Sequence, residues 1–301
     1  MYSRILSFAI VGFFVCASFV QAEMTSTNYE IRWDTFSTGG SDTSTSSNYL
    51  LRDTIEVSAS GRSTSASYFL DQGYREGITD QIITFDVKVQ DKTDERSVSA
   101  LSGTTITTSV SGLAVNDYIV LIQDKGASQV AAIGKVTSVG ASSIVVDSLT
   151  NGGSAPSIDG TNDYLYQLDA SAMSLGTLSS DVFSTGIIAI EVAIDVDNGY
   201  VVQMFEDGNL RSGGSAITDV ADGSVTLGAT EYGARSSDTS LSSSTFDTAD
   251  TAISTMYQDV ATESSASFSS RNFVTLKASV ADGATIGSYA HTLSFIASGN
   301  F

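Results

Sequence analysis

The sequence predicts an all-β protein: a β-sandwich with an inserted small β-barrel-like unit and a repetitive, strand-like N-terminal arm. Three observations predict it. Short apolar runs, several of them alternating with polar residues, recur after residue 80; Gly, Asp and Asn punctuate them; no long stretch keeps a helical period. With 301 residues, 42% of them hydrophobic, the chain is large enough and apolar enough to bury real cores.

The chain opens with Arg4, then an uncharged, largely apolar run from Ile5 to Phe19, then Val20-Gln21-Ala22. That is the pattern of an export signal cleaved before Glu23, so residues 1–22 are read as a signal peptide. The run is short for a membrane span and its sequel is polar, so no transmembrane span is expected. The mature protein is expected to be secreted or held at the extracellular cell surface. Cys16, the only cysteine, falls in this leader, so disulfides and multi-cysteine metal sites are excluded.

Residues 23–80 form a Ser/Thr/Gly-rich arm with an internal echo. Ser26-Thr27-Asn28-Tyr29-Glu30-Ile31 returns as Ser46-Ser47-Asn48-Tyr49-Leu50-Leu51, and more weakly as Ser65-Ala66-Ser67-Tyr68-Phe69-Leu70. Spacing of about 20 residues is that of small supersecondary units. Each reads as a short strand, a glycine turn and a second strand. A flexible stalk is the plainer reading; Trp33, Phe36, Tyr49, Tyr68, Phe69 and Tyr74 are many aromatics for one.

Residues 81–110 are expected to hold the first sandwich strands. Ile83, Phe85, Val87 and Val89 alternate with polar neighbours, and a second strand is expected over 104–110. Residues 111–170 read as the inserted barrel-like unit: Tyr118 to Ile122 as a buried strand, then strands over 129–139 and 143–146 turning at Gly140. Its lead-in, Val115-Asn116-Asp117-Tyr118, is similar to small SH3-like barrels. Pro156, the only proline, lies in the loop taken to end this unit.

Residues 171–301 are expected to complete the sandwich. Strands over 187–196 and 200–205 flank Asn198-Gly199, a pair that signals a hairpin with a type I′ turn. The Ser/Thr-rich stretch 236–271 reads as a long loop with one short helix near Thr248 to Tyr257. Val274, Leu276, Ala278 and Val280 alternate as a strand, Ala281-Asp282-Gly283 turns, and residues 288–297 make the last strand.

The closing stretch, Val274 to Val280, then Gly287-Ser288-Tyr289, then Thr292 to Ala297, resembles the last two strands of exported bacterial β-sandwich proteins: WxL-type surface domains, spore-coat-like pilins and TasA-like fibre subunits. The Ser-x-Asn-Tyr-x-Leu/Ile units also resemble N-terminal segments of bacterial surface proteins. These resemblances imply a sandwich fold and surface placement. The Trp-x-Leu signature is absent, since Trp33 precedes Asp34-Thr35, so peptidoglycan binding is not carried over.

Composition narrows function. There are 14 Lys+Arg against 34 Asp+Glu, a net charge of −20, which loss of Arg4 with the leader takes to −21. Such acidity disfavours nucleic acid, whose phosphates need Lys and Arg. No Gly-x-Ser-x-Gly elbow accompanies His291, the only histidine, which reads as the edge of a core face. Glu191, Asp195, Asp197, Glu206 and Asp207 cluster around the expected hairpin; they read as a solvated acidic face, with a carboxylate-pair glycosidase as the competing reading. Calcium is the one cofactor to weigh, at Asp195, Asp197 and Asn198, and second at the loop Asp159 to Asp163. Phe301, after Tyr289, Leu293 and Phe295, would suit an outer-membrane barrel, but the repeated girdled strands of one are missing.

The sequence thus favours a non-enzymatic exported structural protein (coat, appendage or fibre subunit) whose partner is itself, as a homopolymer or surface lattice. Its arm would add as a strand to a neighbour, with Tyr29, Ile31, Tyr49, Leu51 and Phe69 filling side-chain pockets. An adhesin or carbohydrate-binding module holding surface glycans, with calcium assistance, is the second expectation. A secreted glycoside hydrolase is the third.

Overall fold

The computed structural model describes residues 82–300, together with six short strands between Thr25 and Gln72. The signal-peptide reading lies outside the described residues, as do Ile31, Phe69 and Phe301. The chain divides into two compact units, Met1–Thr79 and Asp80–Phe301. No helix occurs among the described residues, and the fold is all-β.

In the first unit, β1 (Thr25–Ser26) pairs with β2 (Tyr29–Glu30), β3 (Gly40–Ser46) with β4 (Tyr49–Thr54), and β5 (Gly61–Ser63) with β6 (Leu70–Gln72), all antiparallel. The register gives the repeat a meaning. Ser26 pairs with Tyr29 and Ser46 with Tyr49. The Ser and the Tyr of each of these two units are thus cross-strand partners.

The second unit begins with β7 (Ile82–Val89), as its alternation foretold. A closed barrel follows, built from β8 (Arg96–Ser102), β9 (Thr105–Thr108), β10 (Tyr118–Gln123), β11 (Val130–Val139), β12 (Ser143–Val146) and β14 (Tyr164–Gln167). These run in the order β10-β14-β8-β9-β12-β11, with β11 returning to β10 and the two-residue β13 (Thr150–Asn151) flanking β11. Val98, Ile106, Ile119, Leu121, Ile144 and Leu165 fill its interior. β8 and β9, expected among the first sandwich strands, pair into the barrel instead, so the barrel starts near residue 96 and not 111. Closing the ring satisfies strand edges that an open sheet would leave bare. Pro156 sits in the loop from β13 to β14, inside the barrel segment and not at its end.

The sandwich has unequal halves. The larger sheet has six strands in the order β17-β18-β19-β21-β15-β7, and the smaller has three, β20-β16-β22. The members are β15 (Ser184–Ile194), β16 (Tyr200–Glu206), β17 (Leu210–Ser212), β18 (Ser215–Asp219), β19 (Glu231–Ser236), β20 (Gln258–Glu263), β21 (Ser267–Ser279) and β22 (Leu293–Gly299). Ile188, Ile190, Val192 and Ile194 of β15 meet Val202 and Met204 of β16 in the core between them. The opposite face of β15 and β21 presents Ile187, Ala189 and Phe273 to barrel residues Val120, Ile122, Ile133 and Tyr166. β15 is thus buried on both faces, which is why Ile187 to Val192 is nearly continuous apolar sequence with little alternation.

Two local expectations fail. β15 and β16 do not pair with each other: β15 lies between β21 and β7, and β16 between β20 and β22. The Asn198-Gly199 turn is an arch from one sheet to the other, closed by Gly199 N–H donating to Val196 O at 3.0 Å. Only Gly199 has positive φ there, at 72°, whereas a type I′ hairpin needs it at both positions. Nor does 248–257 form a helix. Leu241, Phe246 and Ile253 sink into the sandwich core at spacings that no helix face offers, and Thr251 bridges to Ala234 in extended form.

Candidate functional site

The inequality of the sheets creates the candidate site. Three strands cannot cover the inner face of six. Near the start of β22, part of the larger sheet's inner face is left uncovered across its strands, from β7 to Ile217 of β18 and Leu210 of β17. Val87 and Val89 of β7, Ile188 of β15, and Leu276 of β21 floor a groove of about 940 Å³ there. Leu293 and Phe295 of β22 form one wall, alternating inward by strand period. Residues 171–178 run along the groove as a strap, with Met173, Leu175 and Leu178 half-sunk against the core. Ile286, fully exposed, and Tyr289 stand at its margin.

The strap is held by polar contacts at one point. Leu175 O accepts hydrogen bonds from Ser184 Oγ and from Lys92 Nζ, the latter at 3.3 Å. Burial, and then the charge of Lys125, lower the Lys92 ammonium to about 8.

The groove lining carries no Lys, Arg, Asp or Glu, and its ionisable side chains are Tyr289 and His291. The Nδ1 of His291 lies 3.0 Å from Glu206 Oε2, which also accepts the Tyr232 hydroxyl. Glu206 and Tyr232 are buried, and Tyr232 meets the His291 ring edge-to-face at 5.3 Å. Burial, then the hydrogen bond to Glu206, push the Tyr232 hydroxyl well above its usual range. Asp219 approaches the same group, and its Oδ1 is buried without a hydrogen-bond partner. The cluster ties the ends of β16, β18 and β19 to the residues just before β22. The sequence reading of His291 at the edge of a core face fits this position. Its Glu206 partner, 85 residues away, had no local signal.

The acidic residues expected to cluster are dispersed. Glu191 faces the barrel, where Tyr118 donates to it and Arg271 Nε lies 3.0 Å away. Arg271 also reaches Asp147 at 2.7 Å and stacks over the Tyr118 ring at 5.4 Å. Glu206 faces the sandwich core, and Asp207 pairs with Arg211 at 2.7 Å on the surface. Glu191 and Glu206 therefore share no site, as a glycosidase pair would need to.

The calcium candidates do not converge either. Among the described residues no group of three or more His, Cys, Asp or Glu side chains could hold a metal. Asp197 and Asn198 are exposed on the arch, and the Asn198 carbonyl accepts from Asn300 Nδ2 at 3.1 Å. In the second loop, the buried Asp163 carboxylate accepts the amides of Asp159, Gly160 and Asp124, so it staples its own loop. Of the arm residues, Tyr29, Tyr49 and Leu51 lie in β2 and β4 of the first unit.

No family model, curated protein or solved structure matches this chain.

Proposed function

We propose that this is an exported, non-enzymatic structural protein of the cell surface, a coat, appendage or fibre subunit that self-assembles by strand addition from its N-terminal arm. One observation carries the reading. The smaller sandwich sheet ends on β22, which has a strand neighbour on one side only, beside an apolar groove in the larger sheet's face. An unpaired edge next to exposed apolar surface is a template for a strand from elsewhere. Head-to-tail addition of this kind does not close on itself, and so builds filaments. The dispersal of the carboxylates favours this reading over a hydrolase.

Sedimentation velocity on the mature chain and on a chain lacking residues 24–77 tests it. The mature chain should sediment as a concentration-dependent series and the truncated one as a single monomer. A truncated chain that still polymerises removes the arm as connector.

A second reading, a glycan-binding adhesin, has one observation in its favour. On the outer side of the smaller sheet Phe205 and Tyr257 meet edge-to-face at 5.0 Å, with Tyr257 58% and Met256 70% exposed. Gln203 and Asp259, hydrogen-bonded at 2.8 Å, offer polar groups on the same strands. Selective glycan-array binding that Tyr257→Ala abolishes would favour it over the structural reading.

A further inference from the structure

We infer that the groove under residues 171–178 is a binding site for an uncharged single-chain lipid with a hydroxyl head, whose hydroxyl donates to His291 Nε2 and whose tail runs across the larger sheet toward β7. This goes beyond the structural reading above and does not depend on it. Three features carry it.

The first is the hollow itself. Protein interiors are packed as densely as organic crystals, and apolar walls hold water poorly but take apolar ligands. Here about 940 Å³ stands over Val87, Ile188, Ile217 and Leu276, with Leu293 and Phe295 beside them. That is within the usual range of small-molecule sites, about 300–1,000 Å³. The strap cannot sink to fill it, because it is held at two points. Leu175 O is tied to Ser184 Oγ and Lys92 Nζ, and Met173 rests on Gly186, where any Cβ would strike its sulfur.

The second is shape. The lining reaches from Val87 and Val89 of β7 to Leu210 of β17, the two edge strands of the six. Five inter-strand steps span about 24 Å. An extended chain of about sixteen carbons reaches about 20 Å at ordinary carbon–carbon bond lengths. The groove is therefore long and narrow in the way a single acyl or alkyl chain is.

The third is one polar anchor at one end. Ala290 bridges to Arg211 of β17, which sets His291 at the β17 end of the lining. Its side chain is only 8% exposed. Nδ1 faces Glu206 Oε2 at 3.0 Å and the Tyr232 hydroxyl at 3.4 Å. A carboxylate can only accept, so Nδ1 carries the proton, and the neutral ring leaves Nε2 as an acceptor. Nε2 has no hydrogen-bond partner among the described residues. A nearly buried acceptor without a donor is a standing cost, which a ligand hydroxyl removes. An anionic head is disfavoured: the lining holds no Lys or Arg, Glu206 lies directly behind His291, and the chain carries a net charge of −20.

Fluorescence titration of the delipidated mature protein with N-phenyl-1-naphthylamine, a neutral apolar dye, tests the site. The dye should brighten with a Kd on the order of 1 μM. n-Alkanols of about ten to eighteen carbons should displace it, about fourfold more tightly per added methylene, levelling off near about sixteen carbons as the groove fills. The alkane and the carboxylate of equal length should each displace it about tenfold less well, for want of the hydroxyl bond. His291→Asn keeps an N–H for Glu206 and removes Nε2; it should bring the alcohol down to the alkane's level and leave dye binding unchanged. Ala172→Trp, at an exposed strap residue in the lining, should fill the groove and abolish dye binding with an unchanged dichroism spectrum. A natural chain that does not brighten the dye would refute the site. A carboxylate that outcompetes the alcohol, or an alcohol advantage that survives His291→Asn, would overturn the inference.

Discussion

Replacing Gly199 by alanine tests the arch between the two sheets. A methyl there meets two obstacles. With φ at 72° the residue is left-handed, which costs a side chain about 1 kcal/mol. In addition, the new Cβ would lie 1.9 Å from Glu263 O and 2.5 Å from Glu263 C, backbone atoms of β20. Relief needs a movement of about 1.5 Å, which pulls β20 from its pairing of Glu263 with Tyr200 and costs roughly 2–3 kcal/mol more. Gly213 supplies the control. It too has positive φ, 58°, but nothing lies within 4 Å of its Cβ position, so Gly213→Ala should cost only about 1 kcal/mol. Urea unfolding followed by circular dichroism, with m values unchanged, measures both. Gly199→Ala should lose about 3–4 kcal/mol, the sum of the two costs. Losses equal within about 0.5 kcal/mol, the scatter of unrelated surface changes, would mean that no third segment crowds the turn, and the arch would be wrong.

Three further outcomes follow from buried polar groups. Arg271→Met leaves Glu191 and Asp147 without their cation between barrel and sandwich, and should cost about 2–3 kcal/mol of unfolding free energy given the partial exposure of both carboxylates. The double change with Glu191→Gln should cost less than the single one. Asp219→Asn should stabilise the protein at pH 7, by on the order of 1 kcal/mol since the group is half-exposed. Burial, then the charge of Glu206, raise its carboxyl, so its charged form weakens the fold as pH climbs past 3.8, and the gain should vanish near pH 3. Stability should also peak between about pH 9 and 10. Lys92 loses its proton near 8 when folded but near 10.5 when unfolded, so the fold strengthens across that interval. Tyr118, Tyr166, Tyr200 and Tyr232 are raised, chiefly by burial, so above their ordinary value of 10.0 the unfolded chain ionises first and the fold weakens. Denaturation series from pH 7 to 11 on the natural chain and on Lys92→Met should show the rise only in the former and the fall in both.

Some strands with one wet face were legible, whereas β8, β17 and β18, also half-exposed, were not. β7 and the second half of β21 announce themselves by alternation, and β10, β11 and β12 by apolar runs between turn residues. Pairing partners were not legible. Asn198-Gly199 marks a reversal, but nothing local says whether the next strand returns to the same sheet or crosses to the other; that is decided by Val202 and Met204 meeting β15 across the core. β8 and β9 carry no mark of barrel membership, because ring closure depends on β14, more than 50 residues later. The stretch 236–271 reads as a loop with a short helix near Thr248 to Tyr257, and its core anchors, Leu241, Phe246 and Ile253, are too sparse to show the extended path by any period. Of the candidate site, His291 was visible as a lone histidine on an apolar face. The groove was not, since it arises from a mismatch in strand number between two sheets.

Negative-stain microscopy of the purified mature protein at rising concentration puts the most direct question to the proposed assembly. Strand donation along β22 predicts unbranched filaments above a threshold concentration, absent when residues 24–77 are removed. Uniform single particles at every concentration, with the arm intact, would contradict it.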